Sequence, residues 1–301
     1  MDYRIAVLSD SHGNASALSA ALSDAKKHGV DEVWSLGDIA LGGATSAECY
    51  DLLEQVGATQ YLMGNWESDY NFIMGKPKKG VNFDDPTDVY FTILAQYEHA
   101  RYTPQREAQL RSLPMTGRKV LDNLVFTMSH NLPTKNHGHS LFPTETQANF
   151  DVLTENNPAA DVALYAHTHT PVWRYTSNGQ MVLNPGSIGQ IWFTRDKLLA
   201  NRAASYLLLT ISEKGIEDVD FRRVPYDMDG ELRRAKDLHF PYVDLYQKLM
   251  FTGHASTHDA ATLTKVNTEH HYREQAIEFL NSLPTPANQD NADDMPGKGD
   301  H

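Results

Sequence analysis

The chain has 301 residues, enough to bury a sizeable core, and its 41% hydrophobic and 22% charged residues are ordinary for a globular protein. A formal net charge of -13 argues against a nucleic-acid partner, whose backbone is bound by Lys and Arg, and suits a protein that gathers carboxylates around cations. No run of about 18 apolar residues is present, the start MDYRIAVLSD lacks the features of a signal peptide, and one cysteine, Cys49, excludes an intramolecular disulfide or multi-cysteine metal site. A reducing cytoplasm without a membrane partner is the expected setting.

Residues 4–9 read as a short buried strand, closed by the polar cluster Asp10-Ser11-His12-Gly13-Asn14. Ala17, Leu18, Ala21, Leu22 and Ala25 then recur at helical spacing until Gly29. Residues 32–36 predict a second strand ending in Gly37-Asp38, 46–56 a helix, and 60–63 a third strand ending in Gly64-Asn65. From 70 to 112 the pattern is mostly helical around a turn-rich stretch at 75–88. Strand-like runs follow at 118–121, 124–129, 161–165, 171–176, 180–183, 204–211 and 216–223, with Asn123 and Ser177-Asn178-Gly179 marking hairpins. Residues 227–237 and 241–250 predict helices, and 257–281 a partly helical segment.

Strand, turn, helix in repetition, followed by a strand-rich second half, predicts an α/β fold of two mixed sheets packed face to face with helices outside. The organisation expected is a catalytic domain at 1–225, a helical C-terminal extension at 226–283 and a disordered polar tail at 284–301. Periodicity leaves three roles open for the extension: covering the site, adding to the core, or forming an oligomer contact.

Five clusters carry chemistry, each at a predicted strand end: Asp10-x-His12, Gly37-Asp38, Gly64-Asn65, His130 and His167-x-His169. Alone, each has a plainer reading, as a helix cap by Asp10 or Asn14, a common turn, or a satisfied structural histidine. The i, i+2 pairs would point to one side of an extended segment and reach one cation. Together, seven carboxylate, amide and imidazole groups converge on one edge of the layers, a donor mix suited to Mn, Fe or Zn.

This order resembles the calcineurin-like metallophosphoesterases, in particular their small bacterial branch, over roughly residues 4–225. The resemblance implies a four-layer α/β/β/α sandwich and two divalent or trivalent ions, one held by Asp10, His12, Asp38 and His169, the other by Asp38, Asn65, His130 and His167. Asp38, Asn65 and His130 would take part in catalysis, with the nucleophile a hydroxide bridging the two ions. The loop Asn184-Pro185-Gly186-Ser187-Ile188-Gly189 also looks like this branch. The stretches Gly64–Glu67, Ser129–Pro133, Arg222–Asp227 and Ala235–Leu238 are similar to asymmetric diadenosine tetraphosphate hydrolases, implying a dinucleoside tetraphosphate substrate.

Many members of the family carry a histidine after Gly-Asn, placed to protonate a leaving group; here Trp66 stands there. A phosphate leaving group, with a second pKa of roughly 6, has little need of that proton. Phosphoanhydrides or activated esters are therefore the expected substrates, and Trp66 is a candidate to stack on a base or to pack beside the site. Glu67 is a candidate to orient His12. Lys135, His137 and His139, and further on Arg195 and Lys197, are candidates for phosphate contacts, against the plainer reading of solvated charged loops. Rival readings are a phosphodiesterase or phosphatase for another small ester, and a non-catalytic metal-binding scaffold. The first strand leads into neither Gly-x-Gly-x-x-Gly nor a P-loop, and no Gly-x-Ser-x-Gly elbow exists.

Overall fold

The computed structural model describes residues 2–75 and 80–284. The expected tail, beyond Pro284, lies outside the described residues. Ten strands run in chain order as Tyr3–Leu8 (β1), Glu32–Ser35 (β2), Gln60–Tyr61 (β3), Thr116–Leu121 (β4), Leu124–Ser129 (β5), Val162–Leu164 (β6), Pro171–Tyr175 (β7), Met181–Pro185 (β8), Ala204–Ser212 (β9) and Gly215–Val224 (β10). The helices are Ala15–Lys27 (α1), Ser46–Gln55 (α2), Asn65–Gly75 (α3), Pro86–His99 (α4), Pro104–Ser112 (α5), Gln147–Glu155 (α6), Asp196–Leu199 (α7), Met228–Asp237 (α8), Val243–Thr252 (α9), Ala260–Glu269 (α10) and Tyr272–Ser282 (α11).

The strands form two mixed five-stranded sheets, ordered β10-β9-β1-β2-β3 and β4-β5-β6-β8-β7. In the first sheet β1, β2 and β3 run parallel and β9 and β10 join antiparallel on the β1 side; in the second β5, β6 and β8 run parallel and the edge strands β4 and β7 are antiparallel. Period-two alternation sorts the side chains into layers. Ile5, Val7, Leu207, Leu209, Val162, Leu164 and Leu183 fill the space between the sheets around fully buried Trp34 and Phe126. Their neighbours Ala6, Leu8, Tyr206 and Leu208 face the helices on the outer side of the first sheet, and Ala163, Tyr165 and Val182 pack with Phe150 of α6 outside the second. This is the α/β/β/α order the sequence predicts, and the strands behind Asn123 and Asn178 pair as the expected hairpins. Helices α6 and α7 are the elements that periodicity missed: α6 buries only Phe150, Leu153 and Thr154 of its nine residues, and α7 is a four-residue turn that buries only Leu199. No helix among the described residues is long and apolar enough to cross a membrane.

The parallel strands β1, β2, β3, β5 and β6 all end at one edge, where ligand-binding loops of such sheets gather. The C-terminal helices add to the core: α10 and α11 pack on α4, and α8 on α1. Glu231 of α8 is fully buried and joins them to the loops at that edge. Its carboxylate accepts from Ser16 N (3.3 Å) and Oγ (2.5 Å) at the start of α1, and from Thr45 Oγ (3.3 Å) at the start of α2. The carboxylate thus ties the first turns of two helices to α8. Glu231→Ala takes the acceptor from Ser16 N and Oγ, leaves Thr45 Oγ1 only Gly13 O (2.7 Å), and empties a buried site, an expected loss of about 3 kcal/mol. Differential scanning calorimetry should show Tm falling by roughly 6–12 °C, and a Tm within one or two degrees of the parent would refute the role.

Candidate metal centre

Past the strand ends the chain does not stay extended. Asp10 (φ 55°), His12 (φ 44°), Asp38 (φ 53°), His167 (φ 64°) and His169 (φ 56°) all occupy the left-handed region. The pairs Asp10/His12 and His167/His169 do point to one place, but by left-handed turns rather than by the pleat the i, i+2 spacing suggested. Each such residue costs roughly 1–2 kcal/mol, and interloop hydrogen bonds offset it. Asp10 N donates to Gly37 O (3.0 Å), His12 N to Asp38 O (2.9 Å) and Gly13 N to Ile39 O (3.0 Å), while Ala166 N donates to His130 O (2.8 Å).

The Asn184–Gly189 loop, predicted only by resemblance, ties these turns together. Ser187 Oγ (2.8 Å) and Gly189 N (2.9 Å) donate to Asp10 O, and Asn184 Nδ2 donates to Ala166 O (2.8 Å). The two glycines before the metal-type residues are there for space. A Cβ on Gly37 would meet Gly64 N at 2.6 Å, and one on Gly64 would meet Asp38 Oδ1 at 2.0 Å. Asn14, not Asp10, caps α1, accepting from Ala17 N at 3.0 Å.

Two groups of donor atoms result, each with all its members within 4.8 Å of one another: Asp10, His12, Asp38 and His169, and Asp38, His130 and His167. Asn65 Oδ1 joins the second, 3.2 Å from His130 Nε2 and 2.8 Å from His167 Nδ1. Asp38 belongs to both. Trp66 N, at the start of α3, donates to its Oδ1 (2.9 Å), leaving Oδ2 for the cluster.

The residues fit a pair of cations. Carbonyl oxygens only accept, so His169 Nδ1 must donate to Gln190 O (2.7 Å) and His130 Nδ1 to Leu36 O (2.8 Å). Their Nε2 atoms therefore face the cluster, where His169 Nε2 lies 3.4 Å from Asp10 Oδ1 and 3.1 Å from His12 Nε2. Both Asp10 oxygens and Asp38 Oδ2 are buried without a hydrogen-bond donor. Electron-pair donors so concentrated and so poorly supplied with protons require positive charge. Burial pushes the His12 imidazole down to about 4, so it is neutral and able to ligate. Burial opposes charge on Asp38 and His130 alike, but their attraction holds Asp38 below its usual range and His130 up to about 9.

Glu67 lies beneath the cluster, but it does not orient His12. Its oxygens accept from Asp38 N (2.9 Å), Gly64 N (2.9 Å), Ile39 N (2.7 Å) and Ala40 N (2.8 Å). Four backbone donors of two adjoining loops outcompete one distant imidazole for a single buried carboxylate. Burial and the charge of Asp38 push Glu67 up to about 7.

A cleft of about 290 Å³ opens on the cluster. Trp66, only 9% exposed, packs edge-on to His12 (4.8 Å) and Phe91 (5.0 Å) and lends one edge to the wall, as do Phe91, Phe142 and Trp192. Of the expected phosphate contacts, His139 lines the cleft, and Lys135 and His137 are not among its lining residues. Between those two, Asn136 is drawn inward, its Nδ2 donating to Gly64 O (2.8 Å) and Ser68 Oγ (2.7 Å). Arg195 and Lys197 are exposed and outside the lining. Of the roles left open for the extension, covering the site is met here: Leu249 of α9 and Thr257 and His258 of the corner before α10 line the cleft, residues the sequence did not single out. Periodicity marks the helices there, but no motif marks His258 as a site residue.

The model of the calcineurin-like phosphoesterase superfamily domain matches residues 3–214, and the chain belongs to that superfamily. It is accordingly a hydrolase of the phosphoesterase class. An uncharacterized protein from Methanocaldococcus jannaschii is 28% identical over 240 residues, 74% of this chain and 88% of that protein. A metallophosphoesterase from Sphaerobacter thermophilus shares the fold with a TM-score of 0.61 at 23% identity, over 83% of this chain and all of its own. A hypothetical protein from Pyrococcus horikoshii does so with a TM-score of 0.65 at 20% identity, covering 84% of this chain and 99% of that one.

Proposed function

We propose that the chain is a two-metal phosphohydrolase of small nucleotide esters or anhydrides, with a dinucleoside tetraphosphate as the favoured substrate. The observation that carries this reading is Asp38, shared by two donor groups at the floor of a cleft walled by aromatic rings. Asp10, His12, Asp38 and His169 would hold one ion and Asp38, Asn65, His130 and His167 the other, drawn from Mn, Fe or Zn. When bound, the ions would acidify water and offset charge on the phosphoryl oxygens. Trp66 N keeps the Asp38 carboxylate turned, and Gln190 O and Leu36 O keep the imidazoles of His169 and His130 facing inward. Trp66, Phe91, Phe142 and Trp192 suit a planar base. Residues 1–225 are read as the catalytic unit, with the extension at 226–283 closing the cleft.

A volume of about 290 Å³ lies at the low end for a small-molecule site, room for one nucleoside moiety. That favours, as a second reading, a phosphodiesterase or phosphatase for the ester of a single nucleotide. Manganese-loaded protein should be incubated with diadenosine tetraphosphate and with an aryl nucleotide diester, with chelated protein as the control. Metal-dependent ATP plus AMP means asymmetric cleavage and supports the first reading; two ADP means symmetric cleavage of the same substrate. Hydrolysis of the diester alone supports the second. Ion binding with no turnover of either substrate would leave the scaffold reading standing and sink both.

A further inference from the structure

Two imidazoles in the cleft belong to neither donor group. His139 stands on the loop that follows β5, and His258 on the corner between α9 and α10, 119 positions later in the chain. Both line the cavity that Asp38, Asn65, His167 and His169 close from below, and both are exposed at its mouth. His139 is braced by Phe142, ring centroids 4.8 Å apart, and Phe142 in turn meets Trp192 at 5.5 Å. The His258 imidazole, partly enclosed by the cleft wall, is held below its usual range first by burial and then by the charge of His139. Trp66 offers no acid: it is packed between His12 and Phe91, and an indole N–H does not titrate in this range.

We propose that His139 and His258 form the leaving-group site and supply the proton that an alcohol needs to depart. The proposal rests on the phosphohydrolase reading above and extends it from phosphate leaving groups to alkoxides, such as the hydroxyl oxygen of a nucleoside. The water oxygen forms a bond to phosphorus and the bond from phosphorus to the ester oxygen breaks. The departing oxygen takes the proton of the imidazolium, the proton lost by water passes to solvent, and the pair is reprotonated at the open mouth. One water is consumed and no further reagent is needed. Imidazoles are the usual groups for this task near neutral pH. An alkoxide depends on such a proton; a nitrophenolate or a phosphate does not.

The test compares the metal-loaded parent with His139→Ala, His258→Ala and the double variant. One substrate is a dinucleoside monophosphate, whose leaving group is a nucleoside, and the other is a nitrophenyl nucleotide ester. Loss of about 10²-fold in kcat on the dinucleotide in a single or the double variant, with less than about threefold on the nitrophenyl ester, is the expected result. Both side chains are at the surface, so a Tm equal to the parent's will verify the fold. Equal losses on both substrates, or none on either, would overturn the proposal. So would a parent that cleaves only the nitrophenyl ester, an outcome that leaves the phosphohydrolase reading intact. A parent that cleaves neither, though loaded with metal, removes that reading itself and this one with it.

Discussion

Asp38→Asn is expected to lower kcat by about 10³-fold and to reduce the bound metal from two ions toward one. Asp38 is the only carboxylate common to both donor groups. Its Oδ1 is engaged by Trp66 N, so the other oxygen carries the negative charge that two cations would share. An amide in its place keeps the size but loses that charge, and can aim an N–H at cations it must not approach. The backbone around it is held independently, with Asp38 N bound to Glu67 and Asp38 O to His12 N, so the fold should survive. Metal content by atomic emission, with turnover at saturating manganese, gives the answer. Two ions bound and a rate within tenfold of the parent would show that Asp38 is not the shared ligand.

Glu67→Ala is expected to have the largest effect on stability among substitutions outside the ligand set, about 4 kcal/mol. The two opposing terms are of unequal size. Removing a carboxylate that burial and Asp38 push up to about 7 relieves some repulsion, on the order of 3 kcal/mol at most. Against it, four backbone N–H groups, at Asp38, Ile39, Ala40 and Gly64, lose their acceptor in a place that water does not reach. At roughly 1–3 kcal/mol for each buried donor, that second effect wins. Because these loops carry Asp38 and Asn65, manganese affinity should also fall by about 10- to 100-fold. Titration calorimetry and thermal melts measure the two separately. A variant with the parent's Tm but weakened metal binding would mean that Glu67 acts on the ions directly and not through the loops.

Most of the layered architecture was legible in the sequence because burial imposes its period on it. Ile5 and Val7 face one way and Ala6 and Leu8 the other, and such alternation requires a sheet covered on both sides. Helix α6 escaped because it buries so few side chains that its apolar period is faint. The hairpins were legible for a different reason, since Asn123 and Asn178-Gly179 bring turn chemistry that few other structures need.

The donor types were likewise written in the chain, as were their places at strand ends; Asp, Asn and His in those clusters are chemistry local to a few residues. How they reach one another was not local. The left-handed turns at Asp10, His12, Asp38, His167 and His169 exist because separate loops exchange backbone hydrogen bonds, and no window of sequence contains both partners. Glu67 shows the same limit: its position beside Asn65 was visible, but its partners at Asp38, Ile39 and Ala40 lie 27 to 29 residues away. The cleft wall is the extreme case: His258 lines the same cavity as His139 although 119 positions separate them, in an extension whose helices α10 and α11 pack on α4 and α8 on α1. Sequence by itself determined the layers and the set of candidate donor groups, which depend on periodicity and residue type. Tertiary structure alone decided the turns, the Glu67 support and the mouth of the site, which depend on contacts between segments far apart in the chain.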